Sequence, residues 1–215
     1  MLKRPVIKGL YAITPNELDT AELLRKTRLI LLGGATILQY RNKIADKNTQ
    51  LNQAIKLRSL TREFGATFII NDDARLTKQV DADGVHLGGD DGSVAAARAI
   101  LGSEKIIGVS CYNQPGLALA AVQQGADYIA FGAFFSSSVK PEAVRATPEI
   151  LHWARSELTV PLVAIGGITL ANAASVVEAG AHALAVISAL FDAEDIQGTA
   201  QQFSTFFNKV SHDIA

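Results

Sequence analysis

The sequence is poor in cysteine and in charge. Cys111 is the one cysteine among 215 residues, which excludes an intrachain disulfide and a zinc site built from several cysteines. Charged residues make up 19% of the chain, and 20 basic residues stand against 21 acidic ones, so the net charge is −1. Binding to nucleic acid or to a membrane surface needs a basic face. We therefore expect neither partner.

Long apolar runs are also missing. No run approaches the roughly 20 residues that span a bilayer. The first five residues open basic, but no long apolar region and no small-residue cleavage site follow them. We expect a cytosolic protein. With 48% hydrophobic residues, the chain can fold around a large core as a single domain over residues 1–215.

The sequence lacks the common nucleotide and hydrolase motifs. The first predicted strand ends in Thr14-Pro15-Asn16, with neither G-x-G-x-x-G nor a P-loop after it. The serines have no partner histidine and aspartate in a recognised hydrolase motif. Nucleotide binding of those types and nucleophilic hydrolysis are therefore poorly supported.

Short apolar bursts, often rich in β-branched residues, recur along the chain with amphipathic helical segments between them. Such runs are typical of parallel strands that are covered on both faces. We predict eight strands, at Gly9–Thr14, Ala35–Arg41, Thr67–Asp72, Gly84–Gly88, Ile106–Cys111, Tyr128–Phe135, Leu162–Gly167 and Ala183–Ser188. An open doubly wound sheet is the alternative. The regular eightfold alternation favours an α/β fold of the compact (β/α)8 TIM barrel type.

Polar residues at the carboxyl ends of barrel strands are the first candidates for function. The second predicted strand ends with Gln39, Arg41 and Lys43 at alternate positions, which share one face of an extended chain. Their donors suit a polyanion such as diphosphate. A solvated strand exit with two surface cations is the alternative interpretation.

Acidic residues follow the third and fourth predicted strands. Asp72 and Asp73 end the third, and Asp90 and Asp91 follow the fourth. Carboxylates from neighbouring strand ends can converge on Mg²⁺, which takes one or two of them together with phosphate oxygens and water. Helix capping is the competing role, Asp73 for a helix from Ala74 and Asp91 for one near Ser93.

The later strand ends suit phosphate. A serine-rich loop at residues 136–138 leads to Lys140, and glycines follow the seventh predicted strand at 166–167. Loops after strands 7 and 8 are the customary phosphate site of this fold, since glycine lets the backbone approach an anion. His86 is a hydrogen-bonded structural residue or lines the site.

In this order the strand ends resemble the thiamine-phosphate synthase family. Seven elements carry the resemblance across nearly the whole chain: Tyr11-Ala12-Ile13-Thr14, Gln39-Tyr40-Arg41-Asn42-Lys43, Ile70-Asn71-Asp72-Asp73, Gly84-Val85-His86-Leu87-Gly88, Ile107-Gly108-Val109-Ser110, Lys140 after a hydroxyl-rich loop, and Ala164-Ile165-Gly166-Gly167-Ile168. Gly89 stands where many members carry Gln, Val139 where the second hydroxyl of Thr-x-Thr-Lys is usual, and Pro15 where Asp is common.

The resemblance implies Mg²⁺-assisted condensation of hydroxymethylpyrimidine diphosphate with a thiazole phosphate that is carboxylated or not. It implies a catalytic set of Arg41, Lys43, Ser110 and Lys140. For the pyrimidine diphosphate it implies contacts from Gln39, Tyr40, Arg41, Asn42, Lys43, Asn71, Ser110 and Lys140. For the thiazole phosphate it implies Ser137, Ser138, Val139, Gly167, Ile187 and Ser188, and for the metal Asp72 and Asp91.

Two other functions compete with this one. A related thiazole tautomerase uses the same barrel without binding diphosphate or metal, and a non-catalytic barrel could bind a phosphorylated metabolite for regulation. The row of donors beside Asp72 and Asp91 favours the synthase. The apolar segment around Phe203 and Phe207 predicts a last helix, which could also supply a contact in a homo-oligomer.

Overall fold

Eight parallel strands close into a barrel. The computed structural model describes residues 6–89, 92–136 and 145–208. In this part of the chain the strands are β1 (Gly9–Ile13), β2 (Ile37–Tyr40), β3 (Thr67–Asn71), β4 (Gly84–Leu87), β5 (Ile106–Tyr112), β6 (Tyr128–Phe131), β7 (Leu162–Ile165) and β8 (Ala183–Val186). They pair in sequence order, and β8 pairs with β1. The predicted (β/α)8 barrel is confirmed.

Helices cover the outside of the barrel. Within the described ranges they are α1 (Thr20–Leu32), α2 (Lys47–Phe64), α3 (Ala74–Gln79), α4 (Val94–Leu101), α5 (Pro115–Gln123), α6 (Pro148–Glu157), α7 (Ala173–Glu178), α8 (Ser188–Phe191) and α9 (Ile196–Asn208). Helix α9 packs against α1 and buries Phe203 and Phe207, as predicted for the last helix. None of the helices in these ranges has the length and apolar character needed to cross a bilayer.

Most predicted strand boundaries agree with the structure to within two residues, but the sixth is an exception. The prediction of a strand over Tyr128–Phe135 is too long, because β6 ends at Phe131. Beyond it the backbone turns toward the loop after β7, where Phe134 N donates to Ile165 O and Phe135 N to Gly166 O. The apolar run continues past the strand because both phenylalanines still pack on the core.

The amino-terminal end of the barrel is held by two similar ion pairs. Arg58 on α2 donates two hydrogen bonds to Asp83, both 2.8 Å long, and one oxygen of Asp83 also accepts from Phe68 N of β3. Arg98 on α4 donates to Asp127, which accepts from Ile107 N of β5. Each carboxylate thus links a helix to the strand that follows it.

We expect Asp83→Ala to destabilise the protein by about 2–3 kcal/mol, since it leaves the half-buried Arg58 guanidinium and a backbone N–H without their acceptor. Urea unfolding followed by circular dichroism measures the loss. Glu63→Ala is the matched control: it removes the exposed two-bond pair with Arg28 and should cost less than about 1 kcal/mol. Equal losses would contradict a special role for Asp83.

Candidate active site

Side chains from β2 and β3 meet at the carboxyl end of the barrel. Lys43 Nζ lies 3.1 Å from Asp72 Oδ2, and the Asn71 amide donates to the same oxygen. Asp72 adopts a left-handed backbone conformation with φ of 62°, which asparagine and aspartate tolerate better than most residues. The structure therefore brings together one cation, one amide and one carboxylate that the sequence places on neighbouring strand ends.

The loop after β1 fixes the backbone that carries the basic row. The Thr14 hydroxyl donates to Arg41 O and accepts from Arg41 N, both at 2.8 Å. Asn16 Oδ1 accepts from Lys43 N at 2.9 Å. Sequence reasoning missed these two positioning residues, although short polar side chains that follow a strand commonly bond to nearby backbone.

Tyr40 and Asn42 lie on the opposite face of the same segment. The Tyr40 hydroxyl donates to Gln53 Oε1 at 2.8 Å, and the Asn42 amide donates to that atom at 3.1 Å and to Glu17 O at 2.6 Å. Both side chains are buried between the strand and α2. The expected substrate contacts of Tyr40 and Asn42 gain no support from this arrangement, which gives both residues a structural role.

Two of the capping questions have direct answers. Asp73 caps α3, because its Oδ1 accepts from Leu76 N at 2.9 Å. Ser93 is the N-cap of α4, since its hydroxyl accepts from Ala96 N. Asp90 and Asp91 themselves lie outside the described residues, as do four residues expected at the phosphate loop: Ser137, Ser138, Val139 and Lys140.

The edge formed by Asn71 and Asp72 fits a hard cation. Hard cations prefer oxygen, and Mg²⁺ is usually held by one or two carboxylates together with phosphate oxygens and water. Asp72 supplies a partly exposed carboxylate, and Asn71 places an amide beside it. In the described ranges no group of three or more histidine, cysteine, aspartate or glutamate side chains forms a complete cage. The donors thus fit an ion that shares its coordination with a ligand.

A separate cavity of about 200 Å³ lies beyond β7 and β8. Its lining includes Ser136, Gly166, Gly167, Ile187 and Ser188. Gly167 has φ of +63°, and a Cβ at that position would lie 2.2 Å from Ser136 O. This glycine is therefore required by the close approach of the loop after β6. Helix α8 begins at Ser188, and the first N–H groups of a helix have no partner within it.

Arg145 lies beside this cavity. Its guanidinium donates to the hydroxyl of Ser136, which lines the cavity, and its carbonyl accepts from Asn113 Nδ2 at 3.1 Å. Sequence reasoning missed Arg145. The signal was available, because this cation follows Lys140 in the same loop region.

Five polar side chains form a continuous chain of hydrogen bonds across the barrel interior. Gln39 Nε2 lies 2.8 Å from Tyr11 Oη, which lies 2.8 Å from Tyr128 Oη. The expected contact of Gln39 with diphosphate gains no support from this position, because the side chain is buried and its amide bonds to Tyr11. Tyr128 Oη lies 2.9 Å from His86 Nδ1, and His86 Nε2 lies 2.8 Å from Ser110 Oγ. His86 is thus hydrogen-bonded at both nitrogens, and through Ser110 it also reaches the site.

Burial sets the charge state of this chain. Desolvation lowers the pKa of His86 to about 4, against a weaker opposing effect of the Asp72 charge. Desolvation also raises the pKa of Tyr11 and of Tyr128 well above the usual range. The imidazole and both phenols are therefore neutral near pH 7. Sequence reasoning had treated Tyr11 and Tyr128 as ordinary strand residues.

Glycines make room for two aromatic rings near the site. A Cβ at Gly108 would lie 2.0 Å from Cζ of Tyr128, so only glycine admits that ring to the barrel interior. At Gly89 a Cβ would lie 2.9 Å from the Tyr112 hydroxyl, which accepts from Gly89 N. Gly89 stands where many members of the similar family carry Gln, and here the ring of Tyr112 occupies the adjoining space.

Comparison with known proteins shows which family the chain belongs to. The model of the family described as "Thiamine monophosphate synthase" matches residues 10–190. A thiamine-phosphate synthase from Methylobacillus flagellatus is 56% identical over 204 residues, covering 95% of this chain and 97% of the relative. One from Azoarcus is 52% identical, covering 94% and 98%. The solved structure of a thiamine phosphate pyrophosphorylase from Pyrococcus furiosus superposes with a TM-score of 0.85 at 35% identity, covering 94% of this chain and 96% of that one. The chain belongs to the thiamine monophosphate synthase family.

Proposed function

We propose that this protein is a thiamine-phosphate synthase, which joins hydroxymethylpyrimidine diphosphate to a thiazole phosphate. In this substitution the bond from the pyrimidine methylene carbon to the diphosphate oxygen breaks. A bond from the same carbon to the thiazole nitrogen forms, and diphosphate leaves. Family membership at 56% and 52% identity to proteins of that name supports the reaction.

The observation that carries the proposal is the meeting of Lys43, Asn71 and Asp72 at the ends of β2 and β3. A lysine beside a carboxylate suits a diphosphate that arrives with a divalent cation. The lysine can bind the diphosphate oxygens, and the carboxylate can bind the cation. Arg41 lies two positions before Lys43, just past the end of β2. The thiazole tautomerase and the regulatory barrel need no such combination.

Magnesium fits the Asp72 edge, and when bound it would neutralise charge that develops on the leaving diphosphate. We propose Asp91 as the second carboxylate. The protein's own contribution is to hold the diphosphate by Arg41, Lys43, Asn71 and Lys140 and to orient the pyrimidine by Ser110. Fixed orientation of two reactants can supply a large share of a rate enhancement.

We place the thiazole phosphate in the cavity beyond β7 and β8. The proposed contacts are Ser137, Ser138, Val139, Gly167, Ile187 and Ser188. The cavity lining, the start of α8 and the nearby Arg145 guanidinium support this placement. Backbone N–H groups and a guanidinium are the donors that bind phosphate in many proteins.

A coupling assay tests the proposed function. Purified protein is supplied with both heterocycles and Mg²⁺, and thiamine phosphate and inorganic diphosphate are measured together. We expect both products in equal amounts, and none of either without Mg²⁺. Rearrangement of a thiazole carboxylate phosphate with no release of diphosphate would establish the tautomerase instead. Binding without turnover would establish the regulatory barrel.

We expect Asp72→Asn to lower kcat/KM by about 100-fold or more and to raise the Mg²⁺ concentration needed for half-maximal rate, because the variant removes a charged metal ligand. Asparagine tolerates the left-handed backbone of this position. Asp73→Asn is the control, since it keeps the cap of α3 and should stay within about threefold of the unaltered enzyme. A Mg²⁺ titration of both variants makes the comparison. Equal Mg²⁺ requirements would remove Asp72 from the metal site.

Arg41→Ala should raise KM for the pyrimidine diphosphate by about 10- to 100-fold, because it removes a charge-assisted contact to that substrate. KM for the thiazole phosphate should change by less than about threefold. Arg62→Ala, which removes an exposed cation paired with Asp81 before β4, serves as the control. If both Michaelis constants rose equally in Arg41→Ala, the two anion sites would be misassigned.

A further inference from the structure

The hydrogen-bond chain inside the barrel has a donor-only group at one end. Gln39 contributes Nε2 to its contact with Tyr11, and an amide NH₂ donates but does not accept. Tyr11 therefore accepts from Gln39. The single hydroxyl proton of Tyr11 then has Tyr128 as its acceptor within the chain.

This first step determines the remaining ones. Tyr128 accepts from Tyr11 and donates its own proton to His86 Nδ1. In a neutral imidazole only one nitrogen carries a proton, so the proton lies on Nε2, which donates to Ser110 Oγ. In this order both phenol protons and the imidazole proton have an acceptor within the chain.

The other orders leave a buried proton unsatisfied. In the reversed order Ser110 donates to His86 and Tyr128 donates to Tyr11, and the Tyr11 proton then points at the Gln39 NH₂. With a doubly protonated imidazole, Tyr128 accepts from both neighbours and its own proton has no acceptor in the chain. Tyr11 and Tyr128 are 1% and 0% exposed, and an unmade hydrogen bond at such a site costs about 1–3 kcal/mol.

The chain leads from the closed interior to the mouth of the site. Gln39, Tyr11, Tyr128 and His86 are all buried, whereas Ser110 is partly exposed. Since Ser110 Oγ already accepts from His86, its own proton is free to point outward. The hydroxyl thus keeps its one proton available for a ligand, because none of its donor capacity is used inside the chain.

We propose that Gln39, through Tyr11, Tyr128 and His86, commits Ser110 to act as a hydrogen-bond donor to an acceptor atom of the bound heterocycle. The four interior residues are positioning residues, and Ser110 is the one that touches substrate. A ring nitrogen of an aminopyrimidine is an acceptor of this kind, and its amino group is not. The identity of the ligand rests on the proposed function, but the proton order is a property of the ligand-free protein.

Nitrogen NMR of the histidine side chains tests the proton order directly. In ¹⁵N-labelled, ligand-free protein near pH 7.5, we expect His86 to carry its proton on Nε2, with the signals assigned by comparison with His86→Gln. In Gln39→Glu the carboxylate accepts from Tyr11, the chain reverses, and the proton should move to Nδ1. Gln50→Glu adds the same charge on α2, outside the barrel, and should leave the proton on Nε2.

A proton on Nδ1 in the unaltered protein, or on Nε2 in both Gln39→Glu and the unaltered protein, would overturn the proposal. If the unaltered protein showed the expected tautomer but no coupling activity, that result would count against the proposed function alone. The two failures are therefore distinguishable, because the NMR measurement needs no substrate.

A pair of hydroxyl deletions tests the link to substrate and does not depend on the folding of Gln39→Glu. Tyr128→Phe removes the donor to His86 Nδ1, so KM for the pyrimidine diphosphate should rise about tenfold, with KM for the thiazole phosphate little changed. Tyr11→Phe leaves Tyr128 able to donate to His86 and should cause a smaller rise. Equal rises in the two variants, or equal effects on both substrates, would contradict the proposal.

Discussion

The inside of an eight-stranded barrel is a closed space that side chains must fill. In this protein one cluster of interior side chains is mainly aliphatic and includes Ile37, Ile69 and Ile106, which pack with Tyr11 and Tyr128. The two tyrosines bring both bulk and polarity. Their rings replace aliphatic volume, and their hydroxyls need partners because the surroundings exclude water. Gln39 and His86 supply those partners. The same side chains therefore fill the interior and satisfy one another's hydrogen bonds.

The buried hydrogen-bonded side chains also form the floor of the candidate site. Strand β2 points Gln39 inward and carries Arg41 just past its carboxyl end, and Ser110 on β5 belongs both to the buried chain and to the candidate site. A shift of one residue in the register of β2 would exchange Gln39 with Tyr40 and move the basic row to the helix side. The buried chain, which links β1, β2, β4, β5 and β6, opposes such a shift. The position of the proposed diphosphate-binding groups thus depends on contacts deeper in the barrel.

The sequence predicted the barrel well because parallel strands covered on both faces appear as uninterrupted apolar runs. It also predicted that Lys43 and Asp72 come close, because strand ends of a barrel share one rim. Tyr11 and Tyr128 were missed for a physical reason: a buried tyrosine in an apolar run is indistinguishable from a core aromatic until its hydroxyl finds a partner 117 positions away. Tyr40 and Asn42 show the converse, since their polar groups bond to α2 instead of the site, and strand alternation alone could have separated them from Arg41.

The two proposed anion sites lie three strands apart around the ring, one between β2 and β3 and the other between β7 and β8. At about 4.8 Å per strand this corresponds to roughly 14 Å along the ring, and the straight line between the two sites is shorter than that. Screening by salt acts over a Debye length of about 8 Å at physiological ionic strength, so phosphate groups that face water at the two sites would repel each other only weakly. The uncharged ring atoms of the two substrates can then approach over the centre of the barrel, where Ser110 lies at the mouth. A barrel suits the proposed reaction because the two phosphate-bearing groups can bind at separate positions on the rim while the two rings meet above the centre of the barrel.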